Sequence, residues 1–387
     1  MSKQTIRKIK NGIIRAIQRM IQLIRGIDDT KIVCMSFEGK TYSDNPKALS
    51  EMLYRLDPKL SIVWIFNDPK SKKGIVPSNV TCVRNNSLTA LYEMATAKVW
   101  IDNFQKPLWM YKSPKQIYVQ TYHGDRGFKK VLFDSPFAKR NLQLLETDHC
   151  DYFMVGSSFA ETIFSSAMKY QGTFIKKGTP RCDLLVNGNA EHAIAIKEQL
   201  GISSEVNIVL YAPTFRRSAV SKKEKQKLQG IDIERTLQRL HDASGNQWIM
   251  LVRAHSVAIG VEGIESISSA IDVSKFEDMA DLLLVSDMLI TDYSSCAGDF
   301  ALLRRPCFLF QDDYEEYLKH DRSLYFEIAE SPFLVAKNQD ELESLISEYS
   351  KYDYEKNCED ILAFYGAYET GHASEEGGRL LLSRVNQ

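Results

Sequence analysis

Residues Ser286–Pro306 read SDMLITDYSSCAGDFALLRRP, and this stretch decides the fold. Met288, Leu289, Ile290 and Thr291 form a short apolar run that suits a buried parallel strand. Asp292, Tyr293, Ser294 and Ser295 break that run with polar side chains. From Cys296 to Leu303 the pattern turns helical, with Ala297, Phe300, Ala301 and Leu303 on one side. Arg304, Arg305 and Pro306 end the helix, and Cys307–Phe310 (CFLF) opens another strand. Strand, polar turn, helix and strand in this order predict an α/β sheet, whose ligands sit beyond the carboxyl ends of its strands. A helix N-terminus there presents N–H groups and a positive dipole end to an anion. Ser294 and Ser295 add hydroxyl donors, so Asp292–Ser295 is a candidate phosphate or diphosphate site. The simpler reading, that one serine caps the helix, is compatible with it.

The same pattern recurs along the chain. After Asp28, strands expected at Lys31–Phe37, Ser61–Phe66, Val80–Val83 and Lys98–Asp102 are spaced by helices at Pro46–Leu56 and Ser87–Ala97. Ile117–Thr121 then runs into Tyr122-His123-Gly124-Asp125-Arg126-Gly127. His123 lies where a strand-end catalytic residue would lie, and an imidazole titrates near neutral pH, as a general base requires. Gly124 and Gly127 let a backbone approach a ligand closely, and Asp125 is near enough in sequence to orient the ring. A loop histidine bonded to backbone is the alternative. Asn207–Tyr211 ends in Ala-Pro-Thr-Phe-Arg-Arg, where Thr214 and Arg216 offer donors. Trp248–Val252 ends in Arg253-Ala254-His255-Ser256, a pairing of Arg253 and His255 that suits an anionic group. Asp312 and Asp313, in QDDYEEY, read either as a carboxylate cluster for a divalent cation or as an acid-rich helix N-terminus.

Length and composition bound the rest. A chain of 387 residues, 44% hydrophobic, has material for two domains with substantial cores. Its net charge of -1 gives no sign of a nucleic-acid partner. The seven cysteines are scattered, with no CxxC pair, and read as buried hydrophobes in a reducing compartment. No apolar run is long enough to span a bilayer.

Residues 1–27 differ in kind. Lys3, Arg7, Lys8, Lys10, Arg15, Arg19 and Arg25 are basic, and no acid precedes Asp28. Ile6, Ile9, Ile13, Ile17, Met20, Ile21 and Ile24 recur at helical spacing. The charges interrupt any continuous apolar segment, so this is no signal peptide. The pattern suits a cationic amphipathic helix lying on an anionic membrane surface, or else one packed on the body or in a dimer seam.

The four turns YHGD, YAPTFRR, RAHS and TDYSS, in this order, resemble the CDP-glycerol glycerophosphotransferase family, the teichoic-acid primases and polymerases of Gram-positive bacteria. SFEGKTYSDNPKAL (Ser36–Leu49), GTPRCDLL (Gly178–Leu185), DFALLRRP (Asp299–Pro306) and QDDYEEY (Gln311–Tyr317) extend the resemblance from Lys31 to Arg379. It implies a GT-B fold: two Rossmann-like domains facing a cleft, here 28–185 for the acceptor and 186–387 for the donor, behind a membrane-surface helix at 1–27. It implies CDP-glycerol or CDP-ribitol as donor and a polyprenol-diphosphate-linked saccharide as acceptor, at the cytoplasmic face of the cell membrane. His123 falls on the family's proposed base and His255 on a histidine that helps hold the donor diphosphate. Asp292, Ser294 and Ser295 fall on the turn that contacts the same phosphates. Two positions depart from the family pattern: Ser256 replaces a proline, and Thr370 replaces an aspartate. The residues require no cofactor or metal, although a divalent ion on the diphosphate is compatible with them. A GT-B glycosyltransferase using a nucleotide-sugar is the rival enzyme class, and a non-catalytic scaffold of the same fold is the rival outside enzymes.

Overall fold

The computed structural model describes residues 3–138, 142–214, 216, 230–254, 263–321, 323–348 and 353–385. The chain forms two compact units. One comprises Met1–Asp125, Ala138–Asp183 and Tyr368–Gln387, and the other Arg126–Phe137 and Leu184–Ala367.

The first unit is built on seven strands: β1 (Asp28–Met35), β2 (Ser61–Phe66), β3 (Val80–Arg84), β4 (Ala97–Asp102), β5 (Ile117–Gln120), β6 (Tyr152–Met154) and β7 (Thr173–Ile175). Their order is β3-β2-β1-β4-β5-β6-β7, with every pair parallel. The second unit has β8 (Asn207–Ala212), β9 (Trp248–Val252), β10 (Ala270–Asp272), β11 (Met288–Thr291), β12 (Cys307–Phe310) and β13 (Leu334–Ala336). Their order is β10-β9-β8-β11-β12-β13, again all parallel. Each sheet therefore reverses its strand order once, between β1 and β4 and between β8 and β11. Such a reversal opens the crevice where doubly wound sheets bind ligands.

Continuous apolar strands match helices on both faces. In the first unit, Cys34, Trp64, Ile101 and Val119 pack with Leu49, Leu53 and Leu381. In the second, Val209, Met250, Ile290 and Phe308 pack with Leu237, Leu240, Leu342 and Ile346.

The division is not one cut near residue 185. Residues 126–137 leave the first unit directly after the His123 turn. Arg126 is buried against Asp299 at 2.7 Å, and Phe128 packs on Phe326 and Phe333. The Lys130 N–H donates to the Ser323 carbonyl and the Tyr325 N–H to that of Phe128, both at 2.8 Å.

The chain returns to the first unit at Tyr368. Sequence places Gly366–Gly378 in a loop, yet the helix begins earlier and spans Ala373–Val385. Its first turn is held by Asp183, whose carboxylate accepts the N–H groups of Ala373 and Ser374 at 2.8 and 2.7 Å. Gly377 and Gly378 sit inside this helix because it lies close to Met154, Leu53 and Leu56. A Cβ on Gly378 would come within 3.0 Å of Leu56.

Lys3–Arg25 is one helix. Gln18 is buried and accepts the Tyr111 N–H at 3.2 Å, and Gln22 donates to the Ala95 carbonyl at 3.0 Å. Ile17 and Ile21 are partly covered, while Ile6, Ile9, Ile13, Met20, Leu23 and Ile24 are exposed. The helix thus touches the body through Gln18, Gln22 and the partly covered Ile17 and Ile21, and leaves the rest of its apolar ridge exposed. Among the described residues no helix is long and apolar enough to cross a membrane.

Candidate functional site

In the first unit, register brings three strand ends together. Met35 lies beside Asp102, and Asp102 beside Gln120. The residues that follow these strands, Ser36–Phe37, Asn103–Phe104 and Thr121–His123, therefore share one edge.

Asp102 builds the middle turn. Its buried carboxylate accepts the Phe104 N–H at 2.8 Å and pairs with the Lys106 ammonium, and its carbonyl accepts the Thr121 N–H at 2.9 Å. Burial pushes the Asp102 carboxyl up, and Lys106 pulls against that shift.

His123 projects into this turn. Its Nδ1 lies 2.8 Å from the Asn103 carbonyl oxygen. A carbonyl only accepts, so Nδ1 carries the proton and the lone pair belongs to Nε2. The ring stacks on Phe104 at 5.7 Å with planes 6° apart, and on Tyr122 at 4.4 Å. Phe37 closes a third side at 5.2 Å. Such aromatic contacts are worth roughly 0.5–1.5 kcal/mol each beyond burial, so the ring has one preferred setting.

Asp125 does not receive the Nδ1 proton. Its carboxylate accepts the Gly156 N–H and the Ser157 hydroxyl, both at 2.7 Å. It anchors the turn, and the orientation of the imidazole comes from a backbone carbonyl. No side-chain signal in the sequence marks that carbonyl, although the Asp-Asn-Phe run after an apolar strand marks the turn that supplies it.

In the second unit the reversal between β8 and β11 sets Ala212 beside Thr291. The turns that follow are joined by one carboxylate. Asp292 accepts the Thr214 N–H at 2.9 Å, the Thr214 hydroxyl at 3.0 Å and the Tyr293 N–H at 2.5 Å. Arg216 reaches the same carboxylate at 2.9 Å. Its Nε and second amino group fork onto Asp313 at 2.6 and 3.0 Å. Its guanidinium also lies 4.6 Å from the Tyr317 ring centroid, and Tyr317 stacks on Tyr293 at 3.8 Å. Burial opposes the Arg216 charge, but Asp313 and Asp292 outweigh it and hold the group protonated.

One guanidinium between two carboxylates leaves this cluster net negative. Asp292, Arg216 and Thr214 therefore build the turns more than they attract an anion. The same geometry explains Asp313: it heads the helix Tyr314–His320 without a side-chain cap bond and serves Arg216 instead. Burial pushes the neighbouring Asp312 carboxyl up. Among the described residues no group of three or more His, Cys, Asp or Glu is arranged to hold a metal.

Ser294 and Ser295 are partly exposed at the head of the helix Cys296–Phe300. Ser295 occupies the cap position with no side-chain cap bond, and Ser294 meets the Cys296 N–H only at 3.4 Å. The Ser295 hydroxyl is not committed to capping, and the Ser294 hydroxyl is held only by this long bond.

Arg253 differs from Arg216. Its guanidinium contacts the Phe276 carbonyl at 3.3 Å and the Met279 sulfur at 3.4 Å. It forms no ion pair with any carboxylate among the described residues, and burial pushes its pKa down. Its direct contacts are neutral, and the more distant Asp278, Glu277 and Asp281 only partly offset the cost of burying its charge, so an arriving anion would stabilise it. His255 lies outside the described residues.

Comparison with known proteins identifies the family and the fold. A family model for CDP-Glycerol:Poly(glycerophosphate) glycerophosphotransferase matches residues 17–382. A teichoic acid poly(glycerol phosphate) polymerase of Bacillus spizizenii is 32% identical, covering 97% of this chain and 98% of its own length. A polymerase of the same name from Staphylococcus epidermidis is 31% identical over 100% of this chain, which spans only 56% of that relative. The wall teichoic acid polymerase TagF, solved after a soak with CDPG, superposes with a TM-score of 0.83 at 29% identity, over 99% of this chain and 97% of its own. The two parallel sheets are thus those of the GT-B fold.

The two halves of the Asp292–Ser295 turn should separate in a stability measurement. Asp292→Asn breaks a buried charge cluster and is expected to cost about 3–5 kcal/mol in urea unfolding. Ser294→Ala with Ser295→Ala is expected to stay within about 0.5 kcal/mol of the parent. Equal losses would mean that the serines are structural caps.

Proposed function

The chain belongs to the CDP-glycerol:poly(glycerophosphate) glycerophosphotransferase family, and from that premise we propose that it transfers glycerol phosphate from CDP-glycerol to an acceptor hydroxyl, releasing CMP. The acceptor is a lipid-linked saccharide or a growing teichoic acid chain. The observation that carries this reading is His123, a histidine at a strand end with its proton fixed on Nδ1 and its lone pair on Nε2. Nε2 takes the proton of the acceptor hydroxyl as that oxygen attacks the β-phosphorus of the donor. The bond from the β-phosphorus to the bridging oxygen breaks, and its electron pair leaves with CMP. Phosphoryl transfer asks the protein for positioning and charge stabilisation more than for covalent chemistry. Arg253, Ser294, Ser295 and His255 take the donor phosphates, and Asp292, Thr214 and Arg216 hold the turns that present them. Gly124 and Asp125 support the turn that carries His123. A divalent ion on the diphosphate would add to the same stabilisation.

The relatives at 31% and 32% identity are named for glycerol phosphate, which favours glycerol over ribitol as the polyol. The exposed Ile6, Ile9, Ile13, Met20 and Ile24, interleaved with basic residues, support a peripheral position on an anionic membrane surface, at its cytoplasmic face. That position would keep the enzyme beside a lipid-linked acceptor.

Incubation with CDP-glycerol or CDP-ribitol, a lipid-linked acceptor and membrane vesicles tests the reaction. CMP is expected from CDP-glycerol and at least about a hundredfold more slowly from His123→Ala, the scale of a general base. Release of a nucleoside diphosphate from a nucleotide-sugar would point to the glycosyltransferase class instead. Faster turnover of CDP-ribitol would reverse the donor assignment.

Flotation with anionic liposomes tests the surface. The parent chain is expected to float and to be released by salt, since each basic residue contributes about 1 kcal/mol near such a surface. Ile9→Glu with Ile13→Glu should abolish flotation. Undiminished flotation of that variant would remove the helix from the account.

A further inference from the structure

Tyr122, immediately before His123, has φ of 47°, in the left-handed region that L residues other than glycine rarely adopt. Such a conformation costs about 1–2 kcal/mol and persists only where neighbours fix it. Two side chains do so: Gln120 Oε1 accepts the Thr121 N–H at 3.0 Å and the Tyr122 N–H at 2.9 Å, and Asn45 holds the carbonyls. The buried amide of Asn45 donates to the carbonyls on both sides of the reversal, Thr121 at 3.2 Å and Tyr122 at 3.0 Å. Its Oδ1 is occupied in turn, accepting the Arg181 N–H at 3.0 Å. Asn45 lies in the Ser-Asp-Asn-Pro stretch and Arg181 in the Gly-Thr-Pro-Arg stretch, two segments that the reaction leaves without a role. Both converge on the peptide that carries the histidine.

A second asparagine holds the other end. The buried Asn103 accepts the Phe37 N–H at 2.8 Å on Oδ1 and donates to the Ser36 hydroxyl at 3.0 Å, while its backbone carbonyl accepts from His123 Nδ1–H. The Asn103 side chain ties the end of β4 to the end of β1. The Asn45 side chain ties the exit of β5 to the helix Asp44–Leu56 and to the segment around Arg181.

We infer that Asn45 is a positioning residue for His123, acting through the Thr121 and Tyr122 carbonyls to hold the reversed backbone that aims the imidazole at the Asn103 carbonyl. Without its two donors only the Gln120 acceptor holds the reversal, the Tyr122 backbone relaxes toward negative φ, and the ring swings out of the stack formed by Phe104 and Tyr122. The Nδ1 bond is then lost, and with it the fixed tautomer. The inference rests on the assignment of His123 as base and adds a buried residue whose side chain bonds backbone groups.

The test uses the full chain with CDP-glycerol and lipid-linked acceptor. Asn45→Asp replaces the donating amide with an accepting carboxylate of the same shape, and Asn45→Ser keeps one donor. In Asn45→Asp, kcat is expected to fall by at least about 30-fold, the scale of a misplacement of roughly an ångström. Asn45→Ser should fall between it and the parent, with the dissociation constant for CDP-glycerol within about twofold throughout. Donor binding at parental affinity also reports that each variant is folded. A kcat equal to the parent's in both variants overturns the inference. So does a loss carried wholly by donor affinity, or a variant that neither folds nor binds. If His123→Ala turns over like the parent, the base assignment fails. If His123→Ala is impaired and Asn45→Asp is not, only the role of Asn45 fails.

Discussion

Parallel pairing puts the carboxyl ends of neighbouring strands on one edge, and everything functional in this chain follows from that constraint. In a doubly wound sheet each helix carries the chain back to the opposite edge, so the turns after the strands all collect on the same side. In the first unit Met35, Asp102 and Gln120 stand in register, and the residues just beyond them make the setting of His123. In the second unit Ala212 and Thr291 stand in register, and Thr214 and Asp292 meet just beyond. Segments far apart in sequence become neighbours because the strands have no other way to pair.

Electrostatics then separates the residues gathered there. Arg216 and Arg253 look interchangeable as cations at strand ends, but their partners decide otherwise. Arg216 is shared by Asp292 and Asp313, which hold it charged and satisfied within the protein. Arg253 contacts a carbonyl and a thioether, and burial works against its charge more than Asp278, Glu277 and Asp281 support it. The first is a strut between two turns, and the second is a cation with no ion pair among the described residues. Asp292 raises the corresponding question, since a carboxylate repels a phosphate. Its oxygens face Thr214, Tyr293 and Arg216, so the negative charge is spent on the protein's own donors.

Most of the fold was legible because each strand is an apolar run closed by a polar turn. Ser61–Phe66, Trp248–Val252, Met288–Thr291 and Cys307–Phe310 have the predicted limits, and the other strands longer than three residues differ by a few residues. Thr173–Ile175, Ala270–Asp272 and Leu334–Ala336 are three-residue strands, too short to show a period. The helix over Gly377 and Gly378 was hidden because glycine marks a break in sequence but a close contact in this packing. The passage of residues 126–137 into the second unit depends on Asp299, Phe326 and Phe333, partners distant in sequence. At the candidate site the side chains were visible and their supports were not. The atom that orients His123 is a backbone carbonyl, and the amide that holds the preceding peptide comes from Asn45, 77 residues from Tyr122.

The central claim is that the bond broken lies between the two phosphorus atoms of the donor. Following radioactive phosphorus placed at the β position of CDP-glycerol through a single turnover tests it most directly. The label is expected to move with the glycerol to the acceptor, leaving unlabelled CMP as the nucleotide product. Label retained on the nucleotide, with glycerol alone transferred, would contradict it.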